Sequence, residues 1–478
     1  LLYDGTDLAA GIPMVSLTNT LATVGGAAGD LLDRALDRQL RLAVTGLSQS
    51  GKTAFITALV NQLENASAAD SRLPLWQAQR RGRLLGVRRV PQTNAHIPSF
   101  AYGAALERLY ADPPAWPEST RGVSEIRLEI RYRPSGRFAR EKGTLYLDIV
   151  DYPGEWLLDL PLLTLDYRTW SAQVTATLAP GSQRRELAAA WLDWAPAPDA
   201  PFVEEAAAGV ARAYTAYLHA CRERLGLSLL QPGRFLLPGE HAGAPMLQFV
   251  PWAWAMPQGK AAEGGIFHTF EHRYEQYKRH LVRGFYRRHF AGFDRQIVLV
   301  DCLQALNRGP ECFRDMQQAL HRIMESFAYG KGNLLSRLFA PRIDRILFAA
   351  SKADHVTPDQ HANLVSLLQH LVRDSQLVAR FEGVTTDCMA IASVQATEVA
   401  SGRAEGRTLA GIRGHALDGR ALFVRPGAVP ADVPDERWWR ERGEPFDSFR
   451  PPAMDSMRTM PHIRLDAVLE YLLGDRLQ

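Results

Sequence analysis

The stretch RLAVTGLSQSGKT, Arg41 to Thr53, decides the fold class. Arg41 to Thr45 reads as a short apolar strand, and Gly46 to Thr53 matches G-x-x-x-x-G-K-[ST] at every fixed position. The loop runs directly into Ala54 to Leu63, an amphipathic helical pattern, which is the context a phosphate-binding loop requires. Glycines let the backbone curl until successive N–H groups point at phosphate oxygens, and the following helix adds the positive end of its dipole. The expected contacts are Gly46, Ser48, Gln49, Ser50, Gly51, Lys52, Thr53 and Ala54. Lys52 would reach the β- and γ-phosphates, and the Thr53 hydroxyl would hold Mg²⁺.

Further strands follow in an order that suits the same chemistry. Val123 to Arg133 alternates apolar and charged residues, and Gly143 to Asp151 is a second strand after a short polar connection, so an antiparallel hairpin is expected. The second strand ends in Asp151-Tyr-Pro-Gly154, a D-x-x-G in which Asp151 would orient a Mg²⁺-bound water and the Gly154 N–H would contact the γ-phosphate. Arg295 to Cys302 and Arg342 to Ala350 read as strands, with a helix from Gly309 to Ser326 between them. The later strand runs into Ser351-Lys352-Ala353-Asp354. A carboxylate at Asp354 would accept from N1–H and the exocyclic amine of guanine while the Lys352 stem lies over the base; adenine would leave it facing an unpaired acceptor. After a helix from Pro358 to Phe381 and a strand from Thr386 to Ile391, Ser393 and Val394 stand where a loop would close the base pocket.

This series of motifs resembles the Ras-type GTP-binding proteins. Phrases such as LRLAVTGLSQSGKTAF, LLGVRRVPQ, RGVSEIRL, DIVDYPGEWLLDLPLL, VLVDCLQALNRGP and SKADHVTPDQH are more closely similar to the YcjX-like bacterial stress proteins, over nearly the whole chain from about Asp33. The resemblance implies a cytosolic P-loop protein using GTP/GDP and Mg²⁺, linked to stress responses in a family often associated with phage-shock genes. Two departures from the Ras pattern stand out. Glu155 follows the D-x-x-G where Ras-type proteins place a water-positioning glutamine, so hydrolysis is expected to be slow or differently organised, with Lys52, Asp151, Gly154 and Glu155 as the catalytic set. The switch threonine that would share the metal with Thr53 is Thr120, just before the first hairpin strand, with Thr93 as the alternative; both lie far beyond Lys52 for a compact switch segment.

The 478 residues suggest two or three domains. The expected architecture is α/β: a P-loop NTPase with a doubly wound, mostly parallel sheet and an inserted helical domain. Its parts are a first GTPase segment over 29–154, a helical domain over 155–293, a second GTPase segment over 294–400, and a C-terminal hairpin, Pro-rich segment and docking helix over 401–478. Helices are expected over Ser182 to Trp194, Val203 to Leu225 and Glu263 to Phe293 in the insertion, over Asp30 to Gln39 before the first strand, and over Ile463 to Leu473 at the end. Residues 70 to 120, with six prolines and an arginine cluster at Arg80, Arg81, Arg83, Arg88 and Arg89, read as mostly irregular; the arginines form a solvated face or neutralise phosphate or an acidic partner.

With 55 basic and 52 acidic residues, the net charge of +3 gives no global argument for nucleic acid. Cys221, Cys302, Cys312 and Cys388 show no C-x-x-C spacing and read as reduced thiols, pointing to a cytoplasmic protein. No apolar run reaches the roughly 20 residues of a spanning helix, and no basic segment ahead of an apolar core suggests a signal peptide. Leu1 to Pro13 has no clear function and is set aside from fold reasoning. The basic, aromatic helix HTFEHRYEQYKRHLVRGFYRRHF either contacts an acidic or lipid surface peripherally or packs its aromatics inward.

The expected partners are a guanine nucleotide and an unidentified protein met through the helical insertion. The alternatives are a nucleotide-stabilised scaffold with incidental turnover, and an ATPase or small-molecule kinase, which Asp354 disfavours. If Lys52 serves as a point charge for phosphate, Lys52→Ala should abolish phosphate-dependent nucleotide affinity and leave the fold intact. Titration of nucleotide alongside a circular dichroism spectrum of the same variant tests both halves of that expectation.

Overall fold

In the Arg41 stretch the ladder begins earlier than apolar patterning indicates: β1 spans Arg38–Gly46, and its outermost residues pair with the next parallel strand, Arg38 opposite Leu145 and Gln39 opposite Tyr146. The computed structural model describes residues 38–47, 49–135, 142–259, 261–325, 343–404, 407–455 and 459–478. Arg38 and Gln39 are thus strand rather than the end of a helix, and residues 30–37 of that expected helix lie outside the described residues. Ladder pairing overrides the local helical pattern here, reinforced by the Gln39 amide, which donates to Asp148 Oδ2 at 2.6 Å.

The main sheet contains β1, β2 (Leu84–Val90), β3 (Ser124–Tyr132), β4 (Gly143–Asp151), β5 (Arg295–Val300), β6 (Arg345–Ala350) and β7 (Thr385–Ala390) in the order β2-β3-β4-β1-β5-β6-β7. The strands from β4 to β7 in that order run parallel, while β2 and β3 pair antiparallel at one side. The parallel strands are buried on both faces and read as continuous apolar runs; every residue of β5 is buried. Their carboxyl ends, at Gly46, Asp151, Val300, Ala350 and Ala390, therefore share one edge of the sheet, where ligands of open α/β sheets gather.

Each face has its own core. Leu40, Leu42 and Val44 join Leu145, Leu147 and Ile149 under helix α1 (Lys52–Glu64) and the C-terminal helix Leu465–Leu473. Ala43, Val150, Val298 and Val300 point the other way, into a core continuous with the helical region between β4 and β5. That region is knit by aromatics: Trp170 stacks on Tyr274 at 5.0 Å between ring centres, and Trp191 meets Tyr214 edge-on at 4.8 Å. Such pairs contribute about 0.5–1.5 kcal/mol beyond the area they bury. Phe267, Phe270, Tyr274, Tyr277, Phe285 and Phe290 of the basic, aromatic segment all face inward, which assigns those rings to packing.

The structure differs from the sequence reading in three further places. Residues 70–120 are not mostly irregular: they hold the helices Gln77–Arg80 and Tyr102–Leu109 and the edge strand β2, so the β3–β4 hairpin lies inside the sheet rather than at its edge. Arg88 pairs with Glu129 at 2.6 Å, and Arg89 pairs with Glu64 at 2.7 Å while lying over the Tyr102 ring. The expected helix Ser182 to Trp194 breaks at Ala188 into Gln183–Leu187 and Ala189–Leu192, the second seating Trp191 against Tyr214. The C-terminal hairpin is a three-stranded antiparallel sheet, β8 (Glu398–Ala404), β9 (Arg407–His415) and β10 (Ala421–Val424). All four cysteines are free and buried.

Arg295 fastens the last helix to the sheet. Its buried guanidinium reaches Asp475 at 2.6 Å and Asp344 at 3.1 Å, and also donates to the Leu472 carbonyl. Because Arg345 and Arg476 also serve these partly exposed carboxylates, removing Arg295 leaves them partnered. Arg295→Ala is therefore expected to cost about 1.5–3 kcal/mol, the worth of hydrogen bonds to a charged group, read as a fall in the urea midpoint.

Candidate functional site

One cavity of about 760 Å³ opens along the carboxyl ends of the parallel strands. The loop after β1 forms one wall: Gln49, Ser50, Gly51, Lys52, Thr53 and Ala54 line it, while Ser48 lies outside the described residues. Gln49 and Gly51 take left-handed backbone angles, φ 61° and 85°, and the Ser50 N–H turns back to the Leu47 carbonyl at 3.1 Å. Gly46 itself sits behind the loop, where a Cβ would fall 2.1 Å from Ser50 Oγ. Lys52 opens α1 immediately after Gly51, so the N-terminus of a thirteen-residue helix faces the cavity.

Three oxygen-bearing side chains from distant parts of the chain converge beside Lys52. Thr120 Oγ1 donates to Asp151 Oδ2 at 2.5 Å and lies 3.5 Å from Thr53 Oγ1, which in turn donates to the Glu118 carbonyl at 2.9 Å. Asp151 is buried at the end of β4, behind the lining residues rather than among them, and its other oxygen, Oδ1, has no hydrogen-bond partner among the described residues. Burial raises its pKa, opposed by the charge of Lys52 and by the Thr120 hydroxyl. Two hydroxyls and a carboxylate with an unengaged buried oxygen form a hard donor set that suits Mg²⁺, an ion usually held by one or two protein groups with phosphate and water completing its shell. Thr93 is exposed and away from the cavity. The long interval between Lys52 and Thr120 is filled by β2 and the helix Tyr102–Leu109 rather than by one extended loop.

At the other end, Lys352 adopts φ 60°, a left-handed conformation that non-glycine residues hold only where the surroundings fix it. Its ammonium pairs with Asp301 Oδ2 at 2.5 Å. Asp354 is buried, its Oδ2 accepts the Ala396 N–H at 2.7 Å, and its residue lines the cavity with Ser393 and Val394. The Ala353 N–H bonds to the Ile391 carbonyl at 3.0 Å, tying the loop after β6 to the loop after β7.

Several lining residues were not among those the sequence singled out. Asp301 had a legible signal, an acidic residue ending a buried parallel strand. Gln304 Nε2 donates to Gln49 Oε1 at 2.7 Å and steadies the loop from the helix Cys302–Arg308. Arg222 and Glu223 enter from the helical region, in a wide turn that ends the helix Glu204–Ala220, and residues 446–449 close a further wall. Arg80, Arg81, Arg83, Arg88 and Arg89 do not line the cavity.

The profile of the YcjX-like family, DUF463, matches residues 40–477. The chain belongs to the YcjX-like family. It is 53% identical over 462 residues to a protein of Escherichia coli (strain K12) named Ras-like GTPase YcjX, covering 94% of this chain and 98% of that one. A second relative of the same name, from Shewanella oneidensis, is 46% identical over 478 residues, covering 94% and 96%. Among the described residues of this YcjX-like chain no helix is long and apolar enough to cross a membrane.

The cavity is joined to the helical region through the turn Gly154–Thr164, which is almost wholly buried. A Cβ on Gly154 would lie 2.2 Å from the Gly46 carbonyl oxygen, and one on Gly233 would lie 2.2 Å from that of Glu155. Glu155 thus lines the cavity while its main chain touches the helical region. Further along the turn, the Arg234 guanidinium lies 3.2 Å over the Trp156 ring. Asp159 accepts the Gly233 N–H at 2.9 Å and also the Tyr277 hydroxyl.

Burial pushes Asp159 up from 3.8 to about 7, against the pull of Tyr277, the Gly233 N–H and the charge of Arg234. With the folded pKa above the unfolded one, the stability this carboxyl contributes is full below about pH 4 and declines as pH rises through about 7. Asp159→Asn should flatten the difference in urea midpoint between pH 4 and pH 7 relative to the parent chain.

Proposed function

We propose that this chain is a Ras-type GTP-binding protein that slowly hydrolyses GTP to GDP and phosphate with Mg²⁺, the two nucleotide states altering the helical region and so the choice of a protein partner. The observation that carries this reading is the pairing, within one cavity, of Lys52, Thr53 and Thr120 at one end, with Asp151 buried behind Thr120, and of Lys352 and Asp354 at the other. Gln49 to Ala54 would cradle the phosphates through the main chain, with Lys52 on the β- and γ-phosphates. Thr53 and Thr120 would hold the metal directly, and Asp151 would hold it through water; when bound, Mg²⁺ supplies positive charge that neutralises the phosphate oxygens. Asp354 would accept from the guanine edge, with Ser393 and Val394 closing the base pocket. The names of the two relatives support the same reading.

Slow turnover follows from Glu155. A carboxylate beside the γ-phosphate is a poorer water-positioning group than an amide, since it cannot donate a hydrogen bond and adds like charge. The helical region would sense the nucleotide twice, through the turn at Gly154 and through Arg222 and Glu223, which line the cavity. The scaffold reading draws on the same turn: with Asp159, Trp156 and Gly233 locked into the helical region, a change at Gly154 could be absorbed without any switch.

Competition between GTP and ATP, with phosphate release measured on the same sample, tests the proposal. It expects strong preference for GTP and measurable slow turnover; tight GTP binding with no turnover supports the scaffold, and equal binding of ATP defeats the reading of Asp354. Asp354→Asn should move preference from guanine toward xanthine nucleotides, because the amide donates to the C2 oxygen where the carboxylate accepted from the amine.

A further inference from the structure

Residues 446–449, Phe-Asp-Ser-Phe, form a wall of the nucleotide cavity although they follow the last motif by more than fifty residues. Three elements of the site hold this segment. The Asn307 side chain takes both main-chain groups of Phe446, accepting its N–H at 2.9 Å and donating to its carbonyl at 2.7 Å. His355, next to Asp354, hydrogen-bonds to the Asp447 main chain and meets the Phe449 ring edge-on at 5.1 Å. Trp116, four residues before Thr120, donates its indole N–H to the Phe449 carbonyl at 2.8 Å. The segment also hangs from the small sheet, the Arg450 N–H bonding to the His415 carbonyl.

This anchoring fixes which part of a nucleotide the segment meets. One attachment is beside the base-reading loop and another is on the strand-leading segment that carries Thr120, so residues 446–449 span from the base end toward the phosphate end. In a nucleotide the sugar lies between the two. Phe446 and Phe449 are buried, whereas Asp447 is half-exposed and Ser448 is exposed, and neither side chain has a partner among the described residues. A carboxylate without a donor, lining the cavity on a segment tied toward both ends, is suited to accept from the paired hydroxyls of the sugar, while the guanine donors are met by Asp354.

We infer that Asp447, lining the cavity on a segment anchored by Asn307, His355 and Trp116, binds the ribose hydroxyls and makes the site selective for ribonucleotides over deoxyribonucleotides. The inference rests on the guanine-nucleotide reading above. Ser448 stands beside it as a second hydroxyl-binding group.

Competition of GDP against 2′-deoxy-GDP and 3′-deoxy-GDP on the full chain, for the parent, Asp447→Ala and Asp447→Asn, tests it. The parent is expected to favour GDP over at least one deoxy form by roughly 10-fold or more, the worth of a hydrogen bond to a charged group. Asp447→Ala should bring that ratio close to one, and Asp447→Asn, which keeps one acceptor, should fall between. The ratio is the readout because removing a negative charge near the diphosphate strengthens all three ligands together. A parent that binds GDP and both deoxy forms equally, or an Asp447→Ala variant that keeps the parent's ratio, overturns the inference and leaves the guanine reading standing. A change in GDP against ADP preference with the ribose ratio intact also overturns it, placing Asp447 on the base. A parent that binds neither GDP nor its deoxy forms overturns the guanine reading, and this inference with it.

Discussion

The close approach of Gly154 to the Gly46 carbonyl is the constraint on which the site's arrangement depends. Backbone meets backbone at a distance that no side chain permits, so the loop ending β1 and the turn ending β4 are held as one unit. The consequence runs in both directions from that contact. Toward the cavity it sets Asp151, three residues earlier, against Thr120 and near Thr53. Away from the cavity it sets Glu155 against Gly233, a second approach of the same kind, and so fixes where the helical region begins. Two glycines and their two facing carbonyls thereby connect the phosphate-loop candidate to the aromatic core of Trp156, Trp170 and Tyr274.

Around that contact the sheet and the helical region divide the labour. The parallel strands bring five carboxyl ends to one edge, which brings residues separated by hundreds of positions into one cavity. The helical region and the C-terminal segment then supply walls that the strands alone lack. The ionic groups at and behind the cavity are partly matched already: Lys352 is neutralised by Asp301, whereas Asp151 keeps an oxygen without a partner among the described residues. The Lys352 end is thus pre-organised by its own ion pair, and the Thr53 and Thr120 end retains the unfilled bonding capacity that a cation would use.

The parts of the site legible in the sequence are those whose chemistry is local. Gly46, Gly51, Lys52 and Thr53 fall within one eight-residue span, and Asp151 and Asp354 end or follow apolar strands, so spacing alone brings them forward. Thr120 was legible because it precedes a strand that pairs beside β4. β2 was hidden: its run LLGVRRV sits among prolines and carries arginines whose partners, Glu64 and Glu129, are known only once α1 and β3 are in place. The register of β1 was similarly hidden, since the pairing of Arg38 and Gln39 is decided by β4, about a hundred residues later. Residues 446–449 carry no local pattern at all. Their position is set by Asn307, His355 and Trp116, three side chains that only the finished fold brings together.

The placement of β1 at the centre of the sheet has a consequence for synthesis. One neighbour, β4, is made roughly a hundred residues after it, and the other, β5, only after the whole helical region, roughly 250 residues on. At about 5–20 residues per second, the ribosome takes on the order of tens of seconds to deliver that second partner. Throughout that interval one ladder edge of β1 has no native strand to meet, and the helix Leu465–Leu473, which shares its core, follows later still. The sequence that places the candidate site at the heart of the sheet also leaves β1 dependent on partners made hundreds of residues later.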